Sequence, residues 1–283
     1  MTTLIRNGTI VTSKKSFKAD ILIENGKISQ IGEIQSSVSF EQEINAKGLY
    51  IFPGGIDPHV HMHLPTAAGY SADDFYSGSK AALLGGTTTL IDFVTPKKGQ
   101  SLPDALMQRK KEAESSIIDY SFHVSPIEWT KTTEQEISDI TKEGINSFKV
   151  YMAYKDSIGL NDKDLFKVLK AVRKAGGLVT VHAELGDNIE ELRSSFIKEG
   201  KTEPKYHPLS RPAEMEAEAV KTVIELANKA NCPLYIVHVS AKKSLGYIKD
   251  AQKKGQKVYA ETCPHYLLLE DSKYEGQFEQ TAP

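Results

Sequence analysis

From Phe52 onward the sequence repeats the order strand, loop, helix, and this alternation restricts the possible folds more than any other feature. Seven segments have the apolar, β-branched composition of buried strands. They are residues 56–61, 87–94, 119–127, 145–152, 178–183, 234–239 and 258–262. Strands that alternate with helices form parallel βαβ units with right-handed crossovers, so the pattern predicts an α/β fold.

Two architectures contain such units: a closed (β/α) barrel and an open, doubly wound sheet. No glycine-rich phosphate-binding motif follows the first strand, which argues against a dinucleotide-binding sheet. Histidines also stand at the C-terminal ends of several strands, where barrel enzymes build their active sites. We therefore predict that residues 51–283 form a TIM-like (β/α) barrel with about seven of the usual eight strands.

Capping residues predict where the helices begin, because Ser, Thr, Asp and Asn side chains accept hydrogen bonds from the first free backbone N–H groups. The expected starts are Asp73-Asp74, Thr133 with Glu136 as its capping-box partner, Asn161, Asp187, Ser210 (for a helix over about 212–229) and Ser240.

Residues 1–50 have a different pattern, that of short β-strands. Asn7-Gly8 and Asn25-Gly26 each separate two apolar stretches. Because both residue types tolerate positive φ, Asn-Gly between alternating apolar positions predicts a β-hairpin. We expect residues 1–50 to be the N-terminal part of a small β-sandwich module.

Composition excludes several classes of protein. The 283 residues are 40% hydrophobic and 25% charged, with a net charge of −2, so no basic surface for nucleic acid is expected. No secretory signal and no apolar run of about 18 residues is present, which gives no indication of a membrane partner. Cys232 and Cys263 cannot form a disulfide framework, and a cytoplasmic location is the simplest expectation.

Histidines at strand ends are the candidate metal ligands. His59 and His61 alternate at the end of the first strand, so their side chains share one face about 6.6 Å apart along the strand. His182 and His238 end the fifth and sixth strands. Neutral imidazole is the usual ligand for zinc, so four such residues predict a metal site if the strands curl around a common centre. His123 is expected to be structural.

Lys149 lies in the fourth strand, on the same face as Ser147 and Tyr151. A buried ammonium group is costly unless it is paired, and nearby metal ions would repel it. The amine could be neutral with a lowered pKa, or it could extend to the rim of the barrel. It could also have reacted with carbon dioxide to form an anionic carbamate. The residues alone do not choose among these three states.

Six stretches together resemble the dihydropyrimidinase and hydantoinase family of cyclic amidohydrolases. They are PGGIDPHVHMHLP, GGTTTLIDFVTP, SFKVYMAYKD, VTVHAE, LYIVHVS and ETCPHYLLL. The resemblance extends over essentially the whole chain. It implies a barrel of the metal-dependent hydrolase type, flanked by a β-sandwich to which both chain termini contribute.

The resemblance also implies a centre of two divalent metal ions, most commonly Zn²⁺. By motif position, His59 and His61 would hold one ion and His182 and His238 the other, with carboxylated Lys149 bridging them. Tyr154 would bind the substrate and stabilise the developing oxyanion. A small cyclic amide or imide would be the substrate, and the full-length protein would be a homotetramer. From its place in the loop over the barrel mouth, Leu64 is expected to contact the ring substituent.

The implied reaction is hydrolysis of the ring amide by a hydroxide that the metal ions activate. In this family the acid/base residue is an aspartate after the eighth strand, and the sequence ends at Pro283 without a matching residue. We therefore expect the chain to be a fragment whose own hydrolysis of cyclic amides is weak or absent.

Three alternatives remain open at this level. Allantoinase is the hardest to distinguish from the sequence. Dihydroorotase substrates carry a carboxylate and need a positioned arginine, and no arginine lies between Phe52 and Val94. Non-catalytic scaffold relatives lack the metal ligands, which this chain retains.

Overall fold

The computed structural model describes residues 1–35, 37–66 and 69–275. The chain divides into two compact units. One combines Met1–Ile56 with Ala82–Thr89, and the other contains Asp57–Ala81 and the residues from Leu90 on. Among the described helices, none is both long and apolar enough to cross a membrane.

Strands and helices account for most of the described chain. The strands are β1 (Thr2–Val11), β2 (Ser16–Glu24), β3 (Lys27–Gly32), β4 (Gln42–Asn45), β5 (Tyr50–Ile51), β6 (Gly55–Val60), β7 (Pro65–Thr66), β8 (Gly69–Tyr70), β9 (Thr87–Val94), β10 (Asp119–Val124), β11 (Ser147–Tyr151), β12 (Leu178–His182), β13 (Leu234–Ile236) and β14 (Val258–Ala260). The α-helices are α1 (Phe75–Leu84), α2 (Leu102–Ala113), α3 (Thr133–Lys142), α4 (Asp162–Ala175), α5 (Gly186–Lys198), α6 (Tyr206–Ser210), α7 (Ala213–Ala230) and α8 (Lys242–Lys253).

The N-terminal strands form one five-stranded sheet in the order β3-β2-β1-β4, with β5 also paired to β1. The predicted hairpin at Asn25-Gly26 is confirmed: both residues have positive φ and join antiparallel β2 and β3. The hairpin predicted at Asn7-Gly8 is wrong. Strand β1 continues through these residues, and Asn7, with φ of 63°, lies where the β1–β2 register shifts. An irregularity within one strand uses the same residue types as a turn.

The seven predicted strands of the α/β region are all present. They form a sheet in the order β14-β13-β12-β11-β10-β9-β6, so the seven strands lie side by side in the order in which they occur along the chain. Strands β10 to β14 pair in parallel. This is an incomplete TIM-like barrel of seven strands with its helices, as the alternating pattern predicted.

A continuous apolar core fills the space between these strands and their helices. Phe148 and Val150 of β11 and Val179 and Val181 of β12 are fully buried within it. The register of β11 and β12 places Tyr151 opposite His182, which fixes the position of each side chain on the sheet. Because β-strand side chains alternate between faces, Lys149 and Tyr151 share one face and the two apolar residues of β11 take the other.

Two predicted helix caps, Asn161 and Asp74, are confirmed, whereas the start predicted at Asp187 is wrong because this residue lies inside α5. Asn161 Oδ1 accepts a hydrogen bond from Asp164 N at 2.9 Å, and Asp74 Oδ1 accepts one from Ser77 N at 2.8 Å.

Other caps were wrong. The Thr133 capping box does not form, because Thr133 is the first residue of α3 and Thr132 occupies the N-cap position. Glu136, the expected partner, instead accepts a hydrogen bond from Leu102 N of α2. Ser210 ends α6, and its hydroxyl donates to a backbone oxygen. The start of α8 is bound by Glu216 of α7, not by Ser240. Helix α2 had no matching sequence prediction.

Candidate active site

Three candidate residues gather around one aromatic ring, that of Phe93 near the end of β9, and a fourth contacts one of the three. The ring centroids of His59 and His61 lie 4.6 and 4.7 Å from that of Phe93. Lys149 Nζ lies 5.1 Å from the same centroid. His238 joins the group through His59, with ring centroids 5.5 Å apart. Residues that are up to 179 positions apart in the sequence therefore meet at one end of the strands.

His182 and His238 form a second close pair. His182 Nδ1 lies 3.0 Å from His238 Nε2, and the ring centroids are 4.7 Å apart. Two nitrogen ligands of a tetrahedral zinc ion, each bonded at about 2.0–2.1 Å, are separated by roughly 3.3 Å. The spacing of these two nitrogens is close to that value.

A carboxylate orients the first histidine. His59 Nδ1 and Glu261 Oε1 are 2.5 Å apart. Burial raises the pKa of Glu261, but the hydrogen bonds from His59, Tyr235 and the His238 backbone outweigh it and keep the pKa below its ordinary value. Because an ionised carboxylate only accepts, the His59 proton must lie on Nδ1, which leaves the lone pair on Nε2.

A second carboxylate orients His182 in the same manner. His182 Nε2 lies 2.6 Å from Glu184 Oε2. Burial opposes ionisation of Glu184, yet hydrogen bonds from His182 and Arg211 lower its pKa to about 2. The proton of His182 therefore lies on Nε2, and the Nδ1 lone pair faces His238. Carboxylate partners of this kind fix the tautomer of metal-binding histidines.

Burial keeps the other two candidate imidazoles neutral. It lowers the pKa of His61 to about 4, and the nearby His59 and Lys149 side chains, which would repel a second positive charge, also contribute. It lowers the pKa of His238 to about 3, with His182 and Lys149 as the next causes. Both rings therefore present lone pairs at neutral pH, which a metal ion requires.

Lys149 is a buried amine without a carboxylate in contact. Its side chain is 1% exposed, and its Nζ lies over the rings of Phe93 and Tyr151. No salt bridge joins it to any residue that the structure describes, and Glu261 acts on it only at a distance. Burial lowers its pKa to about 7. The rim-exposed state considered from the sequence does not occur.

His123 serves as the contrast within the same group of rings. Its Nδ1 bonds to Ser147 Oγ at 2.6 Å, and its Nε2 bonds to the Pro58 carbonyl at 2.8 Å. Both nitrogens have protein partners, so His123 is structural, as predicted.

Tyr154 stands in the loop after β11 in a strained conformation. Its φ is 58°, a region that bulky side chains rarely adopt, and its carbonyl accepts hydrogen bonds from three successive backbone N–H groups. The side chain is 46% exposed, and its ring lies 5.4 Å from that of His182. Its hydroxyl accepts a hydrogen bond from Arg211 Nη2 at 3.3 Å.

Leu64 lies in the loop after β6, with its side chain exposed. Its backbone N–H donates to Ser71 Oγ at 2.8 Å, and its carbonyl accepts from Ser71 N. The contact of Leu64 with a substrate stays a prediction.

The sequence analysis missed three charged residues of this site: Glu184, Arg211 and Glu261. Two of them carry a readable signal, because Glu184 follows a candidate ligand by two positions and Glu261 follows the seventh strand directly. Arg211 lies in the linker between α6 and α7, far from any strand end. No spacing rule indicates its position.

The donor set fits divalent metal ions. Among residues 1–35, 37–66 and 69–275, no three imidazole, thiol or carboxylate side chains stand as a preformed ion-binding cluster. The candidates instead form two pairs of histidines together with one buried lysine. Each pair offers neutral nitrogen donors, and one histidine of each pair has a carboxylate partner. These are the donors and supporting contacts that zinc sites use.

Comparison with known proteins relates the chain to one enzyme family. Residues 50–266 match the model of the amidohydrolase family. The D-hydantoinase of Geobacillus stearothermophilus is 45% identical over 277 residues, covering 97% of this chain and 59% of the relative. The D-hydantoinase of Ralstonia pickettii is 43% identical over 270 residues, covering 95% of this chain and 59% of the relative.

A solved structure agrees with the same relationship. The dihydropyrimidinase from Brevibacillus agri NCHU1002 superposes with a TM-score of 0.95 at 41% identity, covering 99% of this chain and 61% of that one. The chain thus spans about three fifths of the length of the relatives that it matches.

Proposed function

This chain belongs to the amidohydrolase family, and we propose that the protein is a metal-dependent cyclic amidohydrolase. Its substrates would be dihydropyrimidines and 5-substituted hydantoins, which it would hydrolyse to N-carbamoyl amino acids. The observation that carries the proposal is the convergence of four histidines and a buried lysine around Phe93 and His238. The relatives named hydantoinase and dihydropyrimidinase support the substrate class.

The residues would hold two divalent ions, most commonly Zn²⁺. His59 and His61 would bind one ion, His182 and His238 the other, and carboxylated Lys149 would join the two. When bound, such ions lower the pKa of water from 15.7 to about 7 and polarise a carbonyl oxygen. Glu261 and Glu184 hold His59 and His182 in the tautomers that direct a lone pair away from each carboxylate.

Lys149 has the properties that carbamate formation requires. Since burial lowers its pKa to about 7, a large fraction of the amine is neutral at physiological pH. The nitrogen lone pair of the neutral amine can attack carbon dioxide, forming an N–C bond and releasing a proton to water. The product is an anion, and it replaces an uncompensated buried cation with a group that positive ions stabilise.

We propose that Tyr154 acts on the substrate carbonyl. Its hydroxyl oxygen already accepts from Arg211, so its own proton is free to be donated. A donor aimed at the oxygen that gains charge in a tetrahedral state stabilises that state more than the planar amide. We propose this role for Tyr154, and contact with the ring substituent for Leu64.

The activity is proposed for the whole protein, because the chain covers 59% of the relatives' length. For that protein we also propose a homotetramer and a cytoplasmic location. The free thiols of Cys232 and Cys263 support the location, and the resemblance to hydantoinases supports the tetramer.

Metal content tests the proposal without requiring turnover by the 283-residue chain. Purified apo-protein is titrated with Co²⁺ in ¹³C-bicarbonate buffer, and bound metal and the ¹³C carbamate signal are measured together. We expect two Co²⁺ per chain and one carbamate. Lys149→Met should abolish the carbamate, and His59→Ala with His182→Ala should abolish metal binding.

Matched controls are Lys221→Met and His265→Ala, both exposed positions, which should retain metal and carbamate. Metal binding that is equal in the wild type and the double histidine variant would contradict the proposal. So would the absence of bound metal, which is the behaviour of a scaffold relative.

The substrate class is tested with the Co²⁺-loaded protein. Dihydrouracil and 5-phenylhydantoin should change the visible absorption of the bound Co²⁺, whereas the linear amide acetamide should not. Ring opening is followed in parallel as release of the N-carbamoyl product. A spectrum that responds equally to all three compounds would remove the preference for cyclic amides.

A further inference from the structure

Arg211 links Tyr154 to the histidine pair by a continuous chain of hydrogen bonds. Its Nε donates to Glu184 Oε1 at 3.2 Å, and its Nη2 donates to Glu184 Oε2 at 3.3 Å. The same Nη2 also donates to the Tyr154 hydroxyl at 3.3 Å. Glu184 Oε2 accepts in turn from His182 Nε2. The guanidinium therefore contacts both a candidate catalytic residue and the carboxylate that orients a candidate metal ligand.

The environment of Arg211 makes these contacts persistent. The side chain is 21% exposed and that of Glu184 is 17% exposed, so solvent competes weakly for either group. The planar guanidinium meets both carboxylate oxygens, a geometry that fixes orientation as well as distance. Its carbon also lies 5.9 Å from the Tyr154 ring centroid.

Tyr154 needs such a restraint. The residue is 46% exposed and adopts a φ of 58°, and its backbone contacts hold its carbonyl but not its ring. An exposed phenol on a loop samples several rotamers unless a neighbour holds it. Among the described residues, the hydrogen bond from Arg211 is the side-chain contact that restrains the hydroxyl.

We propose that Arg211 is a positioning residue that holds the Tyr154 hydroxyl and, through Glu184, the His182 ring in one fixed arrangement. The proposal rests on the proposed function, because it assigns Tyr154 to the substrate and His182 to a metal ion. Arg211 leaves the Tyr154 proton free to point at a substrate oxygen, since the guanidinium is itself only a donor. Its positive charge also favours a phenol that donates to a developing oxyanion.

The pairing with Glu184 bears on which substrates fit. A dihydroorotase-type substrate carries a carboxylate that a free guanidinium would bind. Here the edge of the guanidinium formed by Nε and Nη2 already donates to Glu184. This edge of Arg211 therefore acts as an internal support and does not bind an acidic substrate.

A spectroscopic test follows Tyr154 directly, in the absence of metal and substrate. The chain is prepared with ¹³Cζ-tyrosine, and the Tyr154 resonance is assigned by its loss in Tyr154→Phe. We expect Arg211→Met to shift this resonance and broaden it. Arg211→Lys should restore part of the shift, because a lysine keeps the charge but cannot reproduce the fork.

The matched control is Arg193→Met, which removes an arginine that pairs with Glu190 on the exposed face of α5. This variant should leave the Tyr154 resonance unchanged. A Tyr154 signal that is the same in the wild type, Arg211→Met and Arg193→Met, in folded protein by circular dichroism, would overturn the proposal.

The second arm measures Co²⁺ affinity by chelator competition. Because Glu184 supports His182, Arg211→Met should weaken the affinity several-fold and Glu184→Gln by roughly 10- to 100-fold. Tyr154→Phe should leave it unchanged. If no variant alters Co²⁺ affinity while the Tyr154 resonance responds to Arg211, the link to His182 is wrong.

Steady-state kinetics complete the test, measured on a form of the protein that hydrolyses cyclic amides. Arg211→Met should lower kcat roughly 10- to 100-fold with less than a threefold change in KM, since its target is the geometry of the transition state. A change confined to KM would contradict the positioning role. The resonance of Tyr154 does not depend on hydrolysis, so a failure of the proposed function remains distinguishable from a failure of this inference.

Discussion

His59 Nδ1 lies 2.5 Å from Glu261 Oε1, although 202 positions separate the two residues in the sequence. His59 belongs to β6 and Glu261 directly follows β14, the strands at the two ends of the seven-stranded sheet. Glu261 also accepts hydrogen bonds from the Tyr235 hydroxyl at 3.0 Å and the His238 backbone N–H at 3.3 Å. One carboxylate therefore contacts two of the four candidate histidines.

We expect Glu261→Gln to weaken Co²⁺ binding by roughly 10- to 100-fold, because an amide holds the His59 tautomer less firmly than a carboxylate. Chelator competition measures the effect. Tyr235→Phe, which removes one donor to Glu261, should have a smaller effect. Glu218→Gln, at a partly exposed pair with Lys243, is the control and should have none. Equal affinities in all three variants would show that the Glu261 contact does not support metal binding.

Lys149 should make the stability of the metal-free, bicarbonate-free protein depend on pH. Burial lowers its pKa from 10.5 to about 7 in the folded state. Between these values the unfolded chain binds the proton and the folded chain does not, so the free energy of unfolding rises with pH. The gain is complete above pH 10.5 and is lost as pH falls through 7. Its size is on the order of 5 kcal/mol.

Urea unfolding at several pH values measures this dependence. Lys149→Met lacks the titrating group, so it should be more stable than the wild type at pH 7, by a margin that shrinks towards pH 10. If the difference in stability between Lys149→Met and the wild type stays constant over this range, the pKa of Lys149 is not lowered in the folded protein.

Much of the fold could be predicted because strand composition and capping are local properties. The seven strands follow from local patterns such as that of β11, where the buried Phe148 and Val150 share one face of the sheet and alternate with Lys149 on the other. Local signals failed where a distant residue supplies the contact. Glu216 of α7, not Ser240, accepts from the first N–H groups before α8.

The candidate site shows the same division. The four histidines and Lys149 could be named from the sequence, because strand ends of a curled parallel sheet meet at one place. Arg211 could not be identified from the sequence, since its position depends on how the linker between α6 and α7 approaches the loop that carries Tyr154. The boundary expected near residue 50 stays a prediction, as do the metal roles of the five donors.

Breaking the buried pair of Asp92 and Arg109 should strongly destabilise the fold. Arg109 Nη2 donates to Asp92 Oδ1 at 2.8 Å and also to the Met62 carbonyl, while Met62 N donates to Asp92 Oδ2 at 2.8 Å. Burial raises the pKa of Asp92 even though Arg109 opposes the shift. The pair thereby holds the residue that follows His61.

Removing Arg109 leaves this carboxylate buried without its partner, so Arg109→Met should lower the free energy of unfolding by about 3–5 kcal/mol. Lys110→Met is the control, because its pair with Glu143 is exposed and should be worth less than about 1 kcal/mol. Urea unfolding measures both variants. If both variants lose the same free energy of unfolding, burial of the pair between Asp92 and Arg109 does not affect stability.

Two glycines of the barrel unit should respond to alanine in opposite directions. Beyond the adjoining backbone, neither Gly246 nor Gly176 has an atom within 4 Å of an added Cβ, so contact with the rest of the protein cannot account for a difference. Gly246 lies inside α8, where alanine has the higher helix propensity, and Gly246→Ala should stabilise by about 0.5–1 kcal/mol. Gly176 caps α4 with φ of 82°, and Gly176→Ala should destabilise by about 1–2 kcal/mol, because L-residues are strained there. If the free energy of unfolding, measured in urea, changes in the same direction for both variants, this assignment of the two backbone conformations is wrong.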